Sequence, residues 1–183
     1  MRFPLLILAV SMLTLNVACS QKRDVAANTA RPPHVVAGKT LFQPKPVTGK
    51  PDEFPVRKTE ADWRKSLTAD QFFILREKGT ERPFTGKYHD NHAVGNYYCA
   101  ADHNFLFTSD TKFESGTGWP SFYTPATDTS VKVASDDTFG MSRDEIVCAK
   151  CGGHLGHVFN DGPKPTGQRY CMDGNALVFE PKK

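Results

Sequence analysis

The sequence holds five cysteines: Cys19, Cys99, Cys148, Cys151 and Cys171. Cys171 has neighbours that could make it reactive. Arg169 precedes it by two positions, and on a strand two such side chains share a face. A guanidinium that never loses its charge favours the thiolate, the nucleophilic form of cysteine. An imidazole ordinarily titrates near neutrality, so His157 can deliver a proton or orient a water that does. Asp161 is placed to hold Arg169 or a histidine. Trp119 offers an apolar wall, with Pro120 stiffening the loop that carries it. A sulfur nucleophile, a proton source and an aromatic wall suit attack on an electrophile whose leaving atom must be protonated.

Cys148-Ala149-Lys150-Cys151, followed by Gly152-Gly153, is a two-spacer pair on a turn. It presents two thiolates as a zinc knuckle does, or forms a redox pair. Cys99-Ala100-Ala101-Asp102 repeats the spacing with a carboxylate in the last place. Cys99, Asp102, Cys148 and Cys151 can therefore hold one structural zinc, with His103 as a further candidate ligand. A disulfide from Cys148 to Cys99 or Cys151, or free buried thiols, are the alternatives. No organic cofactor is expected.

Three stretches are more specific: 115–122 (SGTGWPSF), 154–163 (HLGHVFNDGP) and 165–171 (PTGQRYC), with 79–86 (GTERPFTG) near the front. In this order they resemble the methionine-R-sulfoxide reductases, which act on the R epimer in peptides and proteins. The resemblance runs from about residue 62 to 180 and implies a fold of two small antiparallel sheets with a few helices. It implies that Cys171 is the catalytic cysteine and that His154 and His157 are active-site histidines. Asp161 and Arg169 become supporting polar residues, and Trp119, Phe159 and Asp173 belong to the substrate pocket. The two zinc pairs fall on Cys99 with Asp102 and on Cys148 with Cys151. The implied reaction transfers the sulfoxide oxygen to Cys171 as a sulfenic acid, which a thiol then reduces.

The sequence departs from that pattern at three places. Thr117 stands where many family members carry a resolving cysteine, so an external small thiol or thioredoxin-like protein is the expected reductant. Asp173 replaces the usual Asn. As a like charge beside a thiolate it opposes Arg169, unless it is protonated or pairs with Arg169. Asp102 replaces a zinc cysteine.

These residues need strands to position them. From Ala93 onward, short apolar runs at 94–99, 104–108, 130–134, 145–149, 155–159, 169–172 and 176–179 alternate with turns such as Asn160-Asp161-Gly162-Pro163. Helix is expected only at the front, in two short pieces. Thr68 caps the second with Gln71 reaching back, Phe72 and Leu75 face the core, and Gly79 marks its stop. The fold class is mainly β with short N-terminal helices, two small antiparallel sheets forming an open-barrel-like domain. The organisation expected is a signal segment at 1–19, a Pro-rich extended spacer at 20–61, and a catalytic domain at 62–183. The end of the spacer could lie on the domain surface, with Phe42 and Phe54 docking there.

Residues 4–17 are an apolar run shorter than the roughly 20 residues of a membrane-spanning helix, followed by small residues and Lys22-Arg23. This predicts export to the periplasm or cell envelope, or secretion. Cys19 is a candidate lipidation site that would tether the protein to a membrane. The net charge of +3 comes from scattered residues, which argues against a nucleic-acid partner. A monomer is expected. The competing functions are reduction of free methionine sulfoxide or other small sulfoxides, a zinc-stabilised interaction module, and a thiol-disulfide exchanger built on Cys148 and Cys151. The interaction module leaves Cys171, Arg169, His157 and Trp119 without a task, and the exchanger lacks the thioredoxin-like alternation of strands and helices.

Overall fold

The computed structural model describes residues 45–137 and 142–183, with the backbone of two paired strands, β1 (Val35–Val36) and β2 (Lys39–Thr40). The expected signal segment, Cys19 and Phe42 lie outside the described residues. No helix among the described residues is long and apolar enough to cross a membrane.

The α-helices among the described residues are α1 (Glu60–Ser66) and α2 (Ala69–Glu77). Thr59 caps α1 by accepting from the Asp62 backbone N–H. Thr68 and Gln71 form the expected reciprocal cap on α2, which stabilises a helix start by about 1 kcal/mol. The helix ends one residue before the expected stop. Lys78 takes the left-handed conformation (φ 56°), and the Gly79 N–H donates to the Phe73 carbonyl. Phe72, Ile74 and Leu75 are buried.

The larger sheet has seven strands, in the order β3 (Lys45–Pro46), β8 (Val131–Asp136), β9 (Arg143–Cys148), β10 (His154–Phe159), β11 (Arg169–Met172), β7 (Ser121–Phe122) and β6 (Lys112–Phe113). The smaller is β12 (Leu177–Pro181), β4 (Gly95–Cys99) and β5 (Phe105–Thr108). Among the described residues all pairings are antiparallel except β3 with β8, which is parallel. Each run expected as a strand is one. Strands β3, β6 and β7 were not expected, because two residues carry no readable period. The chain before α1 lies on the domain: Phe54 is 4% exposed and the Val56 N–H donates to the Lys150 carbonyl.

The core lies between the sheets and under the helices. Phe107 of β5 stacks on Phe122 of β7 at 4.4 Å, Tyr97 of β4 meets Phe122 edge-on at 5.0 Å, and Trp63, Ile74 and Leu75 join the cluster. Tyr170 and Met172 of β11 are fully buried, while Arg169 and Cys171 alternate with them and face the other way. That alternation frees one sheet face for a site.

Candidate functional site

Cys171 lies on β11 between two neighbours. His157 of β10 is directly opposite it on one side, and Ser121 of β7 on the other. Directly opposed residues in an antiparallel ladder point to the same face with Cβ atoms about 5 Å apart. Glu145 pairs with His157 from β9, so Glu145, His157, Cys171 and Ser121 form one row across four strands. Arg169 pairs with Phe159 on the same face two residues away. Gly156 permits the close approach of β10 and β11 here, since a Cβ there would collide with the Cys171 carbonyl oxygen.

Arg169 is held in a fork by Asp161, with Nε and Nη2 donating to its two carboxylate oxygens at 2.9 and 2.8 Å. Its guanidinium lies 4.4 Å above the Phe159 ring. The Arg169 pairing holds the Asp161 carboxyl below its usual range. Burial pushes the Cys171 thiol up, as does the Asp173 carboxylate, while the Thr117 and Ser121 hydroxyls and Arg169 pull it down. The net direction is upward, so Arg169 moderates the cost of burying a thiolate rather than outweighing it.

His157 Nε2 is 2.8 Å from Asp136 Oδ2, which also accepts from Arg143 Nη2 at 2.7 Å. Burial holds His157 below its ordinary value, against the pull of Asp136. His154 is almost fully buried, with Nδ1 2.7 Å from Glu145 Oε1. Its Nε2 lies 3.7 Å from Asp173 Oδ2, close enough for charge attraction and too far for a hydrogen bond. Burial opposes the charged form of His154, but the Asp173 and Glu145 carboxylates prevail and hold its pKa up. Glu145 also accepts from Lys78 Nζ at 2.8 Å.

The structure therefore does not pair Asp173 with Arg169, one of the arrangements the sequence left open. Asp161 occupies the guanidinium, and Asp173 turns inward to His154 and accepts from the Glu81 N–H at 2.9 Å. Trp119 is half-buried, and its Nε1–H donates to the Glu81 carbonyl at 3.1 Å. Gly118, at φ 87°, brings that loop against Phe84, whose N–H donates to its carbonyl at 2.9 Å. A cavity of about 380 Å³ lies beside Thr117 and Arg169, bounded also by Glu114, Asp161 and Pro163.

Four residues escaped the sequence reading: Glu81, Ser121, Asp136 and Glu145. The Glu81 carboxylate accepts from the Gly174 N–H at 2.6 Å and the Asn175 N–H at 3.1 Å, securing the turn after β11. The available signals were the positions of Glu81 within residues 79–86 and of Ser121 within residues 115–122.

A second cluster lies where the turn after β4 meets the β9–β10 turn. The ligand atoms of Cys99, Asp102, Cys148 and Cys151 all lie within 4.8 Å of one another. Cys99 Sγ and Cys151 Sγ are 3.8 Å apart, and Asp102 Oδ2 is 3.4 Å from Cys148 Sγ. The 3.8 and 3.4 Å separations match the edges of a tetrahedron with bonds of about 2.3 Å to sulfur and 2.0–2.2 Å to oxygen. The four cysteines among the described residues are free of disulfides. His103 is not part of the set, since it stacks on Tyr98 at 4.4 Å and meets Glu180 at 2.9 Å.

Residues 67–181 match the family model described as the SelR domain. The chain is 56% identical over 127 residues to the peptide methionine sulfoxide reductase MsrB of Leptospira interrogans, covering 69% of this chain and 97% of that protein. It is 58% identical over 126 residues to the protein of that name from Agrobacterium fabrum, covering 69% and 93%. The protein of that name from Methanosarcina mazei is 54% identical over 124 residues, covering 68% and 89%.

Proposed function

The chain belongs to the SelR-domain family of peptide methionine sulfoxide reductases, and from that premise we propose that it reduces the R epimer of methionine sulfoxide in proteins or peptides, with Cys171 as the nucleophile. The observation that carries this reading is the placement of Cys171 directly opposite His157, with Arg169 on the same face.

The chemistry balances with two thiols per turnover. The Cys171 thiolate attacks the sulfoxide sulfur while His157 delivers a proton to the sulfoxide oxygen. The oxygen passes to Cys171, methionine leaves, and Cys171 becomes a sulfenic acid. A first external thiol condenses with it, forming a mixed disulfide and releasing water. A second thiol displaces the first and restores Cys171. Trp119 and Phe159 wall the apolar part of the substrate, and Asp161 holds Arg169 beside the sulfur. The external reductant is a small thiol or a thioredoxin-like protein, since Thr117 rather than a cysteine adjoins Cys171.

The donor set of Cys99, Asp102, Cys148 and Cys151 suits zinc, which would tie the turn after β4 to the β9–β10 turn and act structurally. The apolar segment at 4–17 supports an envelope location, with Cys19 as the attachment point of a lipid anchor. The test presents both sulfoxide epimers, in a peptide and as free amino acid, with dithiothreitol as reductant. Consumption of the R epimer alone, faster in the peptide, is expected. Equal consumption of both epimers would overturn the reading.

A further inference from the structure

A run of three hydroxyls ends on the sulfur of Cys171. Thr117 Oγ1 lies 3.8 Å from Cys171 Sγ, and Ser115 Oγ lies 2.8 Å from Thr117 Oγ1. Ser115 Oγ is also 2.7 Å from Ser121 Oγ, which in turn lies 3.2 Å from the Trp119 carbonyl oxygen. Ser121 is 1% exposed, so bulk water does not replace a partner it loses.

Counting protons fixes the direction of this run. With Cys171 as a thiol, one S–H and three O–H protons serve four links, all pointing one way. Cys171 donates to Thr117, Thr117 to Ser115, Ser115 to Ser121, and Ser121 to the Trp119 carbonyl. Removing the thiol proton leaves three protons and a sulfur that only accepts. Thr117 then turns to donate to sulfur, and three protons can no longer serve four links. The open link falls at the Trp119 carbonyl when Ser115 turns to donate to Thr117 and Ser121 donates to Ser115 or to the sulfur it faces across the β7–β11 ladder.

We propose that Ser115, Thr117 and Ser121 form a reversible donor chain that stabilises the Cys171 thiolate and transmits its formation to the backbone of Trp119, the wall of the substrate pocket. Thr117 and Ser121 are thus positioning residues that act through Cys171. The influence of both hydroxyls on the thiol agrees with this, since each pulls its pKa down against burial. The proposal rests on the reading of Cys171 as the nucleophile.

The test measures the rate at which iodoacetamide alkylates Cys171 as a function of pH, read by mass on the peptide containing it. The protein is the full chain, as Thr117→Val, Thr117→Ser and Ser121→Ala variants beside the wild type. A lost hydrogen bond to a charged sulfur predicts about tenfold slower alkylation at neutral pH in Thr117→Val, with the midpoint moved upward. Thr117→Ser should restore the wild-type curve, and Ser121→Ala should move the midpoint the same way. Indole fluorescence should change with the same midpoint in the wild type and lose that change in Ser121→Ala. A Thr117→Val curve superimposed on the wild type, in a protein with unchanged circular dichroism, would overturn the proposal. Alkylation needs no substrate. An upward-shifted midpoint in a protein that fails to reduce sulfoxides would support the chain while contradicting the proposed function.

Discussion

Cys171 and His157 face each other directly across the β10–β11 ladder, 14 positions apart in sequence, with Ser121 facing Cys171 from the opposite strand. This places the sulfur between a titratable ring and a hydroxyl on one sheet, with Thr117 of the preceding loop 3.8 Å from it.

Replacing His157 with Gln removes the proton carrier and leaves the strand intact. We expect kcat to fall about 10²- to 10⁴-fold with little change in KM. Burial holds His157 below its ordinary value, so in the wild type kcat should decline as pH rises through that lowered value. Steady-state kinetics across pH would show this decline missing in His157→Gln.

The Asp173→Asn variant keeps an oxygen for the Glu81 N–H and removes a negative charge beside Cys171. Since Asp173 pushes the Cys171 thiol up, the variant should ionise at lower pH. The acidic limb of the kcat/KM profile should move down in pH. A profile identical to the wild type would contradict this.

Much of this site was legible in advance. Arg169 and Cys171 are readable together because alternation on a strand puts them on one face, while His157 and Trp119 are readable through the stretches that resemble the family. Their partners were less readable. Asp136 reaches His157 only through the β8–β9–β10 order, and the β-bulge between His154 and Gly156 sends Glu145 to His154 although it pairs with His157. Pairing order and bulges are settled by tertiary packing, which single-sequence patterns do not carry. Strands β6 and β7 were missed for lack of length, and with them the position of Ser121.

Glu145 and His154 form a buried pair whose contribution depends on pH. His154 is held above its ordinary value, so its share is full below about pH 6.5, the usual unfolded value, and fades as pH rises through the folded value. Glu145 is held below its ordinary value by His154 and Lys78 despite burial. Its share is full above about pH 4.3 and fades as pH falls through the folded value. Urea unfolding of Glu145→Gln should show a loss of about 3–5 kcal/mol near pH 6, with a flatter dependence above it.

Metal analysis of the purified protein should find one zinc per chain. Removing it with a chelator should lower Tm, because the four donors then lose the ion that joins two turns. Asp102→Ala should bind zinc more weakly and release it at lower chelator concentration. A protein that is stable and free of metal would contradict the assignment.

The central claim is that Cys171 takes the oxygen from the sulfoxide. Mixing the reduced protein with a peptide containing the R epimer, in the absence of any external thiol, tests it directly. The account predicts one methionine formed per chain, with a sulfenic acid trapped by dimedone at Cys171 and no methionine from Cys171→Ser. Oxidation found on Cys99, Cys148 or Cys151 in place of Cys171, or an undiminished yield from Cys171→Ser, would contradict it.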